Sequence, residues 1–169
     1  MNNKAFTLIE LLVVVALTGL AVGITSDILV TVTKSYNKTQ ILNELEQQSN
    51  FASSRLLKEL RNGLSVSIPV AVGTGSNILE FTQKTDSIKI QYFVQNGVLY
   101  RKLATSANVE ALTNNAALEG VEVTCGTSCF KLSSINPYIV SYELIFKKPG
   151  DPTGVSIIVK DTVVLRGSY

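Results

Sequence analysis

Residues 6–32 consist mainly of Leu, Val, Ile, Ala, Gly and Thr, and between Glu10 and Lys34 the only charge is Asp27. At about 1.5 Å per residue, a helix of this length crosses a hydrocarbon core about 30 Å thick. The run is too long for the apolar segment of a cleaved secretory signal, and the charged flank before it is very short. The chain is 46% apolar and 17% charged, and that excess of apolar residues is concentrated at the N-terminus. A membrane-embedded N-terminus joined to a soluble remainder follows. Orientation is not settled by charge, because Lys4 flanks one end and Lys34 and Lys38 the other.

Beyond residue 32 the chain turns polar without a helix breaker. Ile41, Leu42, Leu45, Phe51, Ala52, Leu56, Leu57, Leu60 and Leu64 recur at three- and four-residue steps, which predicts an apolar stripe along one side of a helix. Glu44, Gln47, Gln48, Arg55, Lys58 and Arg61 occupy much of the rest, and Gly63 is a natural C-terminal stop. One helix is predicted over about 6–62, roughly 85 Å long at 1.5 Å per residue. Its first half is apolar all round and its second half amphipathic.

After Gly63 the pattern changes to short β-like runs over 65–72, 78–82, 87–95 and 98–103. Asn96-Gly97 between two of them is a strong hairpin signal, because both residues tolerate positive φ. A two-residue loop fixes the register: Val94 faces Leu99 and Ile90 faces Leu103, with Phe93 and Tyr100 paired on the other side. Residues 104–120 read as a surface loop, and 121–132 as a hairpin around Cys125 and Cys129. A long strand is predicted over 138–147, with Val140, Tyr142, Leu144 and Phe146 on one face. A turn at 149–154 returns the chain into a last strand or pair of strands over 155–165. Connections this short require an antiparallel sheet. The fold class is α+β, organised as 1–5, 6–32, 33–63 and 64–169.

The chain has no histidine, so the commonest general base and transition-metal ligand are missing. No nucleophile–base pair or metal cluster assembles, and neither an enzyme nor a cofactor is expected. A net charge of +2 without a basic run interleaved with aromatics gives no sign of nucleic acid. Cys125 and Cys129 lie close in an extracytoplasmic context, where a local disulfide is more plausible than a metal site; two thiols cannot complete tetrahedral zinc.

The odd residue is Glu10. An acidic side chain within a bilayer costs about 2.5–3.5 kcal/mol on insertion scales for Asp, and more in other estimates, so it normally marks function and has a partner. Removal of residues 1–5 would leave Phe6 first, with its α-amine four positions from Glu10. That cation, on the same or a neighbouring chain, would neutralise the carboxylate.

Phe6-Thr7-Leu8-Ile9-Glu10 followed by the apolar run resembles the class III signal of type IV prepilins and of type II secretion pseudopilins. The resemblance is specific over residues 4–14. It implies that a prepilin peptidase cuts between Ala5 and Phe6 and N-methylates Phe6. It also implies that Glu10 guides packing against the next subunit, and that an inner-membrane platform with an assembly ATPase extrudes the filament. Ala5 stands where the family usually has Gly; this is the mildest replacement, and the resemblance implies retained but slower cleavage. Residues 96–101 and 162–166 are similar to a hairpin and the last strand of J-type minor pseudopilins and related minor pilins, which favours a minor subunit near a filament tip. The expected localisation is a single pass through the inner membrane, then an extracytoplasmic filament.

The rival reading is a membrane-anchored extracytoplasmic binding domain that never polymerises. Asp27 is read at the outer interface rather than as a second intramembrane partner. Gly19 and Gly23 form a GxxxG that permits close helix approach in lipid, or equally lets the helix loosen on extraction. Tyr92, Phe93, Tyr100 and Tyr142 are read as sheet packing, and Lys147 and Lys148 as a solvated loop edge.

Overall fold

The structure is a computed structural model, and it describes residues 7–114, 116, 120–151 and 154–168. Its first element, helix α1 (Leu8–Arg61), is the predicted helix. The chain divides into two compact units, Met1–Gln40 and Ile41–Tyr169.

In the first unit every described residue of α1 is exposed, as a helix with no protein neighbour must be. Six of its hydroxyls are nonetheless satisfied. Thr18, Thr25, Ser26, Thr31, Thr33 and Thr39 each donate to the carbonyl four residues back, at 2.8–2.9 Å. This back-bonding removes the donor that would otherwise be costly in an apolar medium. It explains how six polar residues sit within a helix that remains long and apolar enough to cross a membrane.

In the second unit, α1 buries Leu45, Ser49, Ala52, Ser53, Leu56 and Leu60. The predicted stripe is corrected at two positions. Phe51 is 54% exposed, and Leu64 is 40% exposed and lies past the helix end. Two serines fill the seam instead, because small side chains let helix and sheet approach closely; Ser49 donates back to the Glu46 carbonyl at 3.2 Å. Gly63 does follow the end of the helix, but without positive φ. A Cβ there would lie 2.8 Å from Leu165 Cδ2 and 2.9 Å from the Leu60 carbonyl oxygen, so close approach of Leu165 and of the helix's own last turn reserves the position for glycine.

Ten strands follow among the described residues: β1 (Gly63–Ile68), β2 (Gly75–Ser76), β3 (Ile78–Gln83), β4 (Lys89–Gln95), β5 (Val98–Leu103), β6 (Val109–Ala111), β7 (Glu122–Thr124), β8 (Phe130–Ile135), β9 (Tyr138–Lys147) and β10 (Ser156–Val164). They make two antiparallel sheets. The first runs β1-β3-β4-β5-β6; the second runs β10-β9-β8-β2, with β7 also paired to β9. Asn96 and Gly97 take φ of 51° and 76°, and the hairpin has the predicted register, Val94 to Leu99, Ile90 to Leu103 and Phe93 to Tyr100. The rings of Phe93 and Tyr100 stack at 5.2 Å. On β9, Val140, Tyr142, Leu144 and Phe146 are all buried.

Two expectations fail. Within 104–120, β6 forms on the edge of β5, because Glu110 finds cationic partners that no local pattern announces. Residues 121–132 are not a hairpin. Strands β7 and β8 each pair with β9, at Ile145–Lys147 and Tyr138–Tyr142 respectively. The chain between them is therefore an excursion along one neighbour, not a reversal.

Candidate assembly site

Ala5 and Phe6, the cleavage and methylation positions, lie outside the described residues, as does the leader before them. The site begins at Thr7. Its backbone N–H and its hydroxyl both donate to Glu10 Oε2 at 3.3 Å, and the Glu10 N–H donates back to Thr7 Oγ1 at 3.3 Å. This is a capping box, in which side chains three apart satisfy each other's orphan amides at a helix start. The acidic charge in the first turn also complements the helix dipole. Glu10 thus has a partner inside its own chain. The Thr-x-x-Glu spacing was visible in the sequence, and Thr7 is the residue that reading only the charge overlooked.

Gly19 and Gly23 have nothing within 4 Å of where a Cβ would stand, so their surface is open to a neighbouring helix. Asp27 is exposed and has no ion pair among the described residues.

Cys125 and Cys129 are joined in a disulfide, with Cα atoms 5.0 Å apart. It closes the excursion between β7 and β8, and Cys129 is buried against the core.

In the second unit, charge fastens helix to sheet. Glu59 accepts from the Arg101 Nε at 3.0 Å and from the Tyr92 hydroxyl at 2.8 Å. Arg55 forks onto Glu110 at 2.6 and 2.8 Å, the bidentate geometry that makes guanidinium–carboxylate pairs strong. Burial and the adjacent Glu59 raise the Tyr92 phenol above its ordinary value. Burial opposes the Arg101 charge, but Glu59 outweighs it and the net shift is upward. Burial and then Asp161 push the Tyr142 phenol up to about 12. The Lys147 and Lys148 reading is corrected: Lys147 meets Glu122 at 3.4 Å and Lys148 meets Glu44 on α1 at 2.9 Å. These partners are distant in sequence, so no spacing marks them.

No group of three or more acidic or cysteine side chains suited to a metal occurs among the described residues. A cleft of about 540 Å³ lies along β8, β9 and β10, and its polar lining includes the Glu143–Lys160 ion pair.

No curated protein and no solved structure matches the chain. Residues 1–26 match the family model described as the prokaryotic N-terminal methylation motif. The chain therefore carries that motif, the type IV prepilin signal, at the head of an α+β, pilin-like layout of one long helix and antiparallel sheets.

Proposed function

We propose that this chain is a structural subunit of a type IV pilus-like or type II secretion filament, a minor pilin or pseudopilin. The observation that carries the reading is the methylation motif over residues 1–26. The apolar helix with self-satisfied hydroxyls, able to cross a membrane, supports it. In this reading prepilin peptidase cuts after Ala5 and methylates Phe6. Residues 6–32 anchor the subunit in inner-membrane lipid, 33–63 continue the helix, and 64–169 form the extracytoplasmic β domain. Other pilin-like subunits pack through Glu10 and across Gly19 and Gly23, and an inner-membrane platform drives extrusion. The minor role rests on the similarity of 96–101 and 162–166 to J-type subunits.

The test is the mass of the N-terminal peptide from native membranes and sheared filaments. Removal of five residues from 169 leaves 164, beginning with N-methylated Phe6. Retention of residues 1–5 in filament fractions would sink the proposal. One observation favours the second reading, an anchored domain that never polymerises: the capping box gives Glu10 a partner without any second subunit. That reading expects the protein only in membranes.

A further inference from the structure

At the C-terminal end of α1 the second unit has a cleft of about 400 Å³, lined by Ser54, Leu57, Lys58, Arg61, Asn62 and Arg166. Lys84 joins the same pole, its N–H donating to the Asn62 carbonyl at 3.0 Å. Elsewhere in this unit six glutamates, Glu44, Glu59, Glu80, Glu110, Glu122 and Glu143, have cationic partners within 3.7 Å, and the other cations without an ion pair among the described residues, Lys102 and Lys131, do not line this cleft. Lys58, Arg61, Lys84 and Arg166 have no ion pair among the described residues. Asp161 and Arg61 act on the Tyr142 phenol in opposite senses, and Asp161, which accepts the Thr162 N–H at 2.7 Å, forms no ion pair among the described residues. The helix dipole gains from cations in the last turn, which explains Lys58 and Arg61 but not Arg166 or Lys84.

We propose that this cleft receives an acidic side chain from another protein chain. Two guanidinium groups beside an amide and a hydroxyl suit the planar, multiply accepting carboxylate. Half-buried Leu57 supplies an apolar wall for the carbon stem of a Glu or Asp side chain. Nucleic acid fits less well. No aromatic ring lines the cleft for a base to stack on, and the volume holds one or two side chains rather than a phosphate track. A second copy of this chain fits less well too, since most of its glutamates are already engaged. If the chain is a filament subunit, the partner is a neighbouring subunit of different sequence, and this identification rests on the proposal above.

The experiment places a photo-crosslinking amino acid at position 62 of the full-length chain in native membranes and sequences the adduct by mass spectrometry. The expected adduct is a peptide with Asp or Glu within about two residues of the crosslink. Its yield should fall on the order of tenfold in Arg61→Glu/Arg166→Glu, as charge reversal at an interface predicts, and less in Arg61→Gln/Arg166→Gln. All these positions are exposed, so unchanged melting temperatures confirm folding. No adduct, an adduct to nucleotide or lipid, a peptide without acidic residues, or a yield indifferent to charge reversal overturns the proposal. The N-terminal mass of the same samples separates the two ideas. A charge-dependent acidic adduct on a chain that keeps residues 1–5 supports the cleft and removes the filament reading.

Discussion

Glu10 and Thr7 show how one carboxylate can serve two situations. In the single chain, Glu10 accepts the Thr7 N–H and hydroxyl, so the helix start is satisfied without a partner. An amide at position 10 keeps an acceptor for those bonds and removes the charge. On the proposed function, in which Glu10 sets register by attracting a neighbouring amine, Glu10→Gln should leave membrane insertion and leader cleavage intact and abolish that attraction. The expected outcome is a fall on the order of tenfold in the ratio of sheared filament to membrane-retained protein, with an unchanged N-terminal mass. Wild-type incorporation of Glu10→Gln would assign the residue to capping alone and favour the non-polymerising anchor. Phe51 makes a related point. Its spacing fits the apolar stripe, yet it faces outward while Ser49 and Ser53 are buried, because closeness of helix to sheet outweighed residue hydrophobicity at that seam.

Among the elements, the span from β7 to β8 carries the clearest departure from pattern. Alternating residues on either side of Cys125 and Cys129 look like a hairpin, but both strands spend their backbone bonds on β9. The disulfide therefore clips a detour between two strands lying along one neighbour. Closing so few residues restricts the unfolded chain only modestly, by about 2 kcal/mol from loop entropy. Replacing both cysteines with Ser should lower the thermal midpoint by several degrees without changing the fold, read as matching far-UV spectra. The wild type should take no thiol label until a reductant is added. Labelling of both cysteines in unreduced extracytoplasmic protein would show the clip is not formed there.

At the scale of the globular unit, helix and sheets are joined by an apolar core and by the Arg55–Glu59–Arg101–Glu110–Tyr92 cluster. Two buried phenols make its stability depend on alkaline pH. Tyr92 and Tyr142 both hold their protons above the ordinary value of 10.0. Above about pH 10 the unfolded chain releases those protons while the folded chain keeps them, so the unfolded state binds fewer and stability falls as pH rises. The contribution is complete below pH 10, and the share from Tyr142 is gone by about 12. Denaturant melts at successive pH values should show this decline. Tyr92→Phe should cost about 1 kcal/mol at neutral pH for the lost bond to Glu59, and should make the alkaline decline shallower. An unchanged slope in Tyr92→Phe would mean that Tyr92 does not contribute to it.

The sequence by itself determined whatever depends on near neighbours along the chain. The apolar run, the 3.6-residue stripe, the Asn96-Gly97 turn and the period-two face of β9 are local patterns, and each corresponds to an element of the structure. The prepilin signal at the N-terminus is local too, and it is the part of the chain that a family model matches. The tertiary structure decided what depends on partners far apart in sequence. These include the division of the ten described strands into two sheets, the assignment of β7 and β8 to one neighbour, the pairing of Lys148 with Glu44 across 104 residues, and the gathering beside Arg61 of cations without an ion pair among the described residues. A chain position carries no record of which distant charge or strand edge will lie against it, since that is set by how layers stack once the apolar faces are buried.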